Sequence, residues 1–236
     1  MCGIIGFVKK DVSVLTQAPS AFAGSVSEPT PAGDDPAHGR TQRSAPTGEG
    51  LGGTQNAERR TPSASSRVLE GLKRLEYRGY DSAGIAALHD GVLEVRKDVG
   101  CIDAVDASQD LAGLGGEVAI GHTRWATHGG VTQANAHPHT DGSGRVAVVH
   151  NGIIENYQEL RAELMARGII FSSETDTEVI PHLLSLELRN GHPHLEDAVR
   201  AVCGRLHGSF AFAAVDAAEP DKLVGVRRDN PLVVGY

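Results

Sequence analysis

The strongest constraint on the fold lies at the N-terminus, where a cysteine follows the initiator methionine and leads directly into an apolar run. Residues 4–8, Ile-Ile-Gly-Phe-Val, predict a buried strand that would hold the terminus in the protein instead of leaving it frayed. Because Cys2 is small, Met1 can be removed, which leaves a thiol and a free α-amine on one carbon. An α-amine has an ordinary pKa of about 7.7–8.0 and can accept the thiol proton near neutral pH. The pattern indicates an N-terminal nucleophile, and its alternative is a buried cysteine without a chemical role.

Composition restricts the class of protein. A content of 40% hydrophobic residues predicts a globular chain, and only 4% aromatic residues predict an aliphatic core. The net charge of −8, with no basic tract, argues against a nucleic-acid partner. No apolar run approaches the roughly 20 residues that span a bilayer, and the N-terminus lacks the pattern of a signal peptide. We therefore expect a cytoplasmic protein with no membrane partner, and its three scattered cysteines fit a reducing compartment.

A stretch poor in large apolar side chains interrupts the chain early. From residue 17 to residue 66, 33 of 50 residues are Gly, Pro, Ser, Thr or Ala. Such a stretch buries too little apolar surface to offset the entropy of ordering it. We therefore expect a disordered surface insertion at about residues 11–66, and the alternative is a small interaction module.

Hydrophobic periodicity predicts an α+β fold in the rest of the chain, because strands and helices come in blocks without regular βαβ alternation. Helices are predicted at residues 67–79, 105–114, 156–167, from 172–176 to 189, and 195–206. Strands are predicted at residues 84–88, 92–95, 117–123, 146–150, 209–215, 223–227 and 232–234. The long polar stretch 124–145 is predicted to be a functional loop.

Five of the eleven histidines lie within 29 residues, which raises the possibility of a metal site. They are His122, His128, His137, His139 and His150. Neither a His-Glu-x-x-His helix nor a Cys-x-x-Cys pair accompanies them, and the sequence contains no phosphate-binding Gly-x-x-x-x-Gly-Lys loop. We therefore expect neither a metal nor a cofactor.

Three polar side chains and one backbone N–H form a set suited to an amino-acid amide. Arg124, at the end of a strand, can bind a carboxylate through two charge-assisted hydrogen bonds, and Asp176, near a helix start, can bind an ammonium. Asn151 and the backbone N–H of Gly152 can bind the oxyanion of a tetrahedral intermediate. Each also has a structural alternative: a surface ion pair for Arg124, a helix N-cap for Asp176, and a hairpin turn for the Asn-Gly pair.

Six ordered motifs resemble the glutaminase domain of glucosamine-6-phosphate synthase (glutamine–fructose-6-phosphate aminotransferase, isomerizing). They lie at residues 2–6, 75–84, 121–129, 135–139, 150–156 and 173–178. The resemblance implies an N-terminal-nucleophile (Ntn) hydrolase fold, an αββα four-layer sandwich with antiparallel sheets. It implies that Cys2 is the nucleophile, that Arg124 and Asp176 bind the glutamine carboxylate and amino group, and that Asn151 and Gly152 bind the oxyanion.

The same resemblance extends to the surroundings of the site. It implies a mobile loop at residues 124–130 that closes over glutamine, with Trp125 beside the ammonia exit. The remaining substrate-binding residues on this interpretation are Arg78, Thr127, His128, His137 and His139.

These patterns lead to one expected reaction and two alternatives. Residues 1–236 are expected to form a class II glutamine amidotransferase domain that hydrolyses L-glutamine to glutamate and ammonia through a γ-glutamyl thioester on Cys2. The family's sugar isomerase domains are not in this sequence, so we expect them in a longer chain or a separate subunit, with a homo-oligomer possible through them. The alternatives are the glutaminase of another class II amidotransferase, such as amidophosphoribosyltransferase, asparagine synthetase or glutamate synthase, and an inactive glutamine-binding module.

Overall fold

The computed structural model describes residues 2–8, 11–16, 62–126, 130–233 and 235. The central part of the predicted insertion, residues 17–61, lies outside the described residues, as do Thr127 and His128. No helix within the described ranges is long and apolar enough to cross a membrane.

The first sheet has four strands in the order β1-β5-β3-β4, and all of its pairs are antiparallel. The strands are β1 (Gly3–Val8), β3 (Ser82–His89), β4 (Val92–Val99) and β5 (Val118–Arg124). Gly3 pairs with Thr123, and Ser82 pairs with Arg124. This register places Cys2 beside the carboxyl end of β5, where Arg124 is the last strand residue.

The second sheet has five strands in the order β2-β9-β8-β7-β6. The strands are β2 (Asp11–Thr16), β6 (His139–Thr140), β7 (Val146–Gly152), β8 (Phe210–Asp216) and β9 (Lys222–Arg228). Its pairs are antiparallel except that β2 runs parallel to β9.

Helices cover the outer faces of both sheets. They are α1 (Ala64–Leu75), α2 (Ile102–Gln109), α3 (Tyr157–Ala166), α4 (Val179–Arg189) and α5 (Leu195–Cys203), with 3-10 turns at Glu76–Arg78 and Ala112–Leu114. Three apolar clusters separate the layers: α1 and α2 pack on the first sheet, the two sheets pack on each other, and α3–α5 pack on the second sheet.

Alternation along β7 illustrates this arrangement. Val146 and Val148 face the helices, whereas Ala147 and Val149 face the other sheet. The predicted four-layer αββα architecture is therefore confirmed. It also explains why the central strands are apolar on both faces.

The approach of α1 to its sheet depends on glycine. A Cβ atom on Gly121 of β5 would lie 2.5 Å from Val68 Cγ1, and one on Gly71 of α1 would lie 2.3 Å from Ile5 Cδ1. Both distances are too short for real contacts, so with a larger residue at either position the facing side chains or the helix itself would have to shift.

The predicted ends of the insertion are wrong at both sides. Residues 11–16 form β2, because the edge of β9 offers unpaired backbone groups that composition alone does not reveal. Residues 64–66 already belong to α1, whose N-cap Ser63 accepts a hydrogen bond from Ser66 N. The expected disorder of residues 17–61 stays a prediction.

Several other predicted boundaries also shift. Residues 231–233 form no strand, α5 ends at Cys203 and not at 206, and the helix predicted at 105–114 is α2 followed by a separate 3-10 turn. The predicted loop 124–145 contains the short strand β6, which pairs with β7. These differences arise where long-range pairing and chain reversal override local apolar periodicity.

Candidate active site

The Cys2 thiol lies over the carboxyl end of β5. Its Sγ atom accepts a hydrogen bond from the Trp125 N–H at 3.1 Å and lies 3.5 Å from the Trp125 carbonyl oxygen, to which the thiol can donate. The side chain is half-buried, as a nucleophile that must meet a substrate requires. The pairing of β1 with β5 is the local cause of this position.

The Asn151 side chain bridges two parts of the site. Its Nδ2 donates to the Cys2 carbonyl oxygen at 3.1 Å, and its Oδ1 lies 3.0 Å from His122 Nε2. The same Nε2 lies 3.1 Å from the His150 carbonyl oxygen, which can only accept, so Nε2 carries the proton. Burial lowers the pKa of His122 to about 3. A neutral imidazole of fixed tautomer therefore turns the Asn151 amide so that its NH₂ group faces the Cys2 end.

Gly152 occupies a position that only glycine tolerates. Its φ angle is 118°, and an added Cβ would lie 2.1 Å from the Ser209 carbonyl oxygen. Asn151 and Gly152 continue β7 instead of forming a tight turn, so the hairpin alternative is wrong.

Arg124 and Asp176 are both buried charged residues, with 4% and 7% of their surface exposed. Arg124 Nη1 donates to the Gly130 carbonyl oxygen at 3.2 Å. Burial lowers the pKa of Arg124, whereas the nearby Cys2, Asp81 and Asp176 raise it. The surface ion-pair alternative for Arg124 is wrong, because a surface residue would be exposed.

Asp176 does not cap α4, which begins at Val179 with Glu178 as its N-cap. Instead, Asp176 Oδ2 accepts a hydrogen bond from Ile154 N at 2.8 Å. This bond ties the turn before α4 to the segment after β7, so the N-cap alternative is also wrong.

Most of the predicted site residues line one cavity. Its lining consists of Cys2, Arg124, Trp125, His137, His150, Asn151, Gly152, Thr175, Asp176 and Thr177. Thiol, amide, guanidinium and carboxylate thus face a common space. They can together attack a carbonyl carbon, hold an oxyanion and bind opposite charges.

A second cavity of about 580 Å³ adjoins the first and shares Cys2, Trp125, Asn151 and Gly152 with it. The predicted residue Arg78 lines this second cavity. Trp125, 45% exposed, stands between the two cavities, with its ring edge-on to Tyr80 at 5.6 Å.

Four buried histidines pack together at the site: His137 and His150 line the first cavity, and His122 and His139 lie behind it. The His137 ring stacks on His122 at 4.1 Å and meets His139 at 4.7 Å. His137 Nε2 and His150 Nδ1 both contact Thr177 Oγ1, at 3.1 and 2.8 Å. Burial lowers the pKa of all four imidazoles, which are therefore neutral. In the described ranges, no three His, Cys, Asp or Glu side chains are arranged to hold a metal ion.

His139 does not line the first cavity. Its Nε2 lies 3.1 Å from Thr175 Oγ1 and its ring meets that of His137, so it contacts two residues that line the cavity. The structure thus places His137 at the predicted site and His139 one residue behind it.

Sequence reasoning assigned no role to four residues that shape the site: Asp81, His122, Thr175 and Thr177. Asp81 Oδ2 accepts a hydrogen bond from Ala126 N at 2.8 Å and holds the start of the loop after β5. These residues lie inside or beside the recognised motifs, but their types alone fit a turn or a core position equally well.

Comparison with known proteins agrees with this geometry. Residues 122–235 match the model of a glutamine amidotransferase domain. Over 174 residues the chain is 58% identical to the glutamine–fructose-6-phosphate aminotransferase (isomerizing) of Streptomyces coelicolor, covering 73% of this chain and 28% of that one. The enzyme of the same name from Methanothermobacter thermautotrophicus is 55% identical over 173 residues, or 73% of this chain and 29% of that one.

The chain contains a class II glutamine amidotransferase domain. A solved glutamine phosphoribosylpyrophosphate amidotransferase from B. subtilis, complexed with ADP and GMP, is similar with a TM-score of 0.57 and 33% identity, over 66% of this chain and 33% of that one. The domain therefore has the predicted Ntn-hydrolase fold. It spans less than a third of the length of the two aminotransferases.

Proposed function

We propose that this amidotransferase domain hydrolyses L-glutamine to glutamate and ammonia through a γ-glutamyl thioester on Cys2. The observation that carries the proposal is the shared cavity, in which the Cys2 thiol and the Asn151 amide stand with the buried charges of Arg124 and Asp176. Glutamine carries a carboxylate, an ammonium and a side-chain amide. Buried charges need partners of opposite sign, and this set of residues supplies them.

The reaction follows from these positions. With Met1 removed, the Cys2 α-amine takes the thiol proton, and the thiolate attacks the side-chain amide carbon of glutamine. Asn151 Nδ2 and the Gly152 N–H stabilise the resulting oxyanion. The carbon–nitrogen bond then breaks as the α-ammonium returns its proton to the leaving ammonia. Water attacks the thioester, which releases glutamate and restores the thiol.

Arg124 binds the glutamine carboxylate and Asp176 binds the ammonium in this scheme. Trp125, between the two cavities, stands at the ammonia exit, and Arg78 lines the second cavity. Thr127, His128, His137 and His139 complete the proposed substrate-binding set. No metal or cofactor takes part.

The ammonia is proposed to aminate fructose-6-phosphate, the substrate in the names of the relatives at 55% and 58% identity. Sugar isomerase domains in a longer chain or a separate subunit would be the partner, and a homo-oligomer would form through them. We place the protein in the cytoplasm, as one amidotransferase domain over residues 1–236 with an insertion in its first third.

Glutamate release by the purified chain tests the proposal. Wild type is expected to release glutamate, Cys2→Ala to release none, and Cys101→Ala, a change at an exposed cysteine, to match wild type. Mass spectrometry of the active protein is expected to show Met1 missing. Unchanged turnover in Cys2→Ala, or full retention of Met1 in active protein, would refute the mechanism. Glutamine binding without turnover in wild type would instead favour the inactive module.

A further inference from the structure

Lys97 of β4 holds the segment that contains His137 through three hydrogen bonds. Its Nζ donates to the carbonyl oxygens of Ala134, Ala136 and Pro138 at 3.3, 2.6 and 3.0 Å. A lysine ammonium has three N–H donors, so all of them are used on one short stretch of backbone. Burial lowers the pKa of Lys97 to about 8, which leaves the ammonium mostly charged at neutral pH.

The same segment lies directly on the sheet at this point. Gly84 of β3 pairs with Lys97, and a Cβ on Gly84 would lie 2.3 Å from the His137 carbonyl oxygen. The segment is also tied to the Lys97 backbone, because Gln133 Nε2 donates to the Lys97 carbonyl oxygen at 3.0 Å. Lys97 and Gly84 together form a docking point for residues 133–138.

Asn135 connects this segment to the active site through hydrogen bonds. Its Nδ2 donates to the Gly130 carbonyl oxygen at 3.0 Å, and its Oδ1 accepts from Glu174 N at 2.9 Å. Gly130 is also the acceptor for Arg124 Nη1, and Glu174 lies two residues before Asp176. Asn135 thus links the carbonyl group that Arg124 contacts with the segment that precedes Asp176, and it is 2% exposed.

We infer that Lys97 is a positioning residue for glutamine binding, which acts through Asn135 on the placement of Arg124 and Asp176. Lys97 is not among the residues that line the cavity, so its effect is indirect. The inference rests on the proposed function, because it assigns Lys97 to the part of the site that binds the glutamine carboxylate and ammonium. The Cys2 thiol has its own hydrogen bond from the Trp125 N–H, so we expect its intrinsic reactivity to change little when Lys97 is replaced.

Lys97→Met tests the inference, since methionine keeps an unbranched apolar stem but donates no hydrogen bond. Cys2 alkylation is measured with two probes: a diazoketone analogue of glutamine, which needs both charged partners, and iodoacetamide, which needs neither. The analogue is expected to react about 10- to 100-fold more slowly, as for a small misplacement of binding groups, while the iodoacetamide rate stays within about twofold. In steady state, KM for glutamine is expected to rise more than kcat falls.

The matched control is Lys73→Met, which removes a lysine paired with Asp103 on the surface and is expected to leave both rates unchanged. Asn135→Ala is expected to reproduce the Lys97→Met result, and the double variant to be no slower than the worse single one. If Lys97→Met does not fold, Lys97→Gln, with two donors on a shorter stem, takes its place. The quantity compared is again the ratio of the analogue rate to the iodoacetamide rate.

The inference would be overturned if Lys97→Met slowed the reactions with both probes equally, or if it reacted with the analogue at the wild-type rate. It would also be overturned if the losses of the two single variants added in the double variant. If wild type itself neither reacts with the analogue nor releases glutamate, the proposed function is refuted, and with it the inference that rests on it. If wild type reacts and Lys97→Met reacts equally, only the positioning role fails.

Discussion

Replacing Asp176 by asparagine separates its observed hydrogen bond from its proposed contact with the glutamine ammonium, and so tests that proposal. Asp176 Oδ2 accepts from Ile154 N at 2.8 Å, and the Oδ1 atom of asparagine can accept the same bond. The fold should therefore lose little, within about 1 kcal/mol of unfolding free energy for one hydrogen bond. The negative charge, however, is lost from a residue that is 7% exposed.

The expected cost to glutamine capture follows from that burial. Removing one member of a desolvated charge pair costs about 2–5 kcal/mol, which corresponds to a fall in kcat/KM of roughly 30-fold to several thousand-fold. The assay is glutamate release over a range of glutamine concentrations, with thermal unfolding measured on the same preparation.

Asp216→Asn is the matched control for this prediction. Asp216 is fully buried, and its carboxylate accepts two hydrogen bonds of 2.9 Å from Arg145, away from the cavity. This variant should lose stability but keep its kcat/KM while it is folded. A folded Asp176→Asn protein with wild-type kcat/KM would refute the assignment of the ammonium to Asp176.

Two further predictions concern the oxyanion and acid stability. Asn151→Ala should lower kcat by about 10²–10³ with a smaller change in KM, because an oxyanion donor acts mainly in the transition state. A variant with a raised KM and an unchanged kcat would contradict that role. Burial alone would raise the pKa of Glu178, but His182 at 3.6 Å and hydrogen bonds from Ser172 and Ser173 hold it below the usual 4.5. A depressed carboxyl pKa stabilises the fold above the ordinary value and ceases to do so as pH falls through the folded value, so Glu178→Gln should lower the unfolding free energy by about 1.5–3 kcal/mol at pH 7. In denaturant titrations the gap to wild type should shrink below about pH 4.5, and a gap independent of pH would exclude an ionised Glu178.

The sequence alone was enough to propose the groups of the candidate site. The type of each residue carries its chemistry: a thiol at Cys2, which gains a free amine if Met1 is removed, a guanidinium at Arg124, and a carboxylate at Asp176. The apolar periodicity of residues 146–150 and 209–215 likewise identified two central strands, because it is a local property of the chain. The motifs connected these groups to one family before any distance was known.

Only the tertiary structure decided which partner each group has. The parallel pairing of β2 with β9 joins residues more than 200 positions apart, and no local pattern encodes it. The partner of Asp176 is a backbone N–H from another segment, and the tautomer of His122 depends on a carbonyl of β7. Lys97 resembles any strand lysine until three carbonyl groups are found around it. Hydrogen bonds and burial of this kind join distant segments, so they exist only once the sheets and helices have packed together.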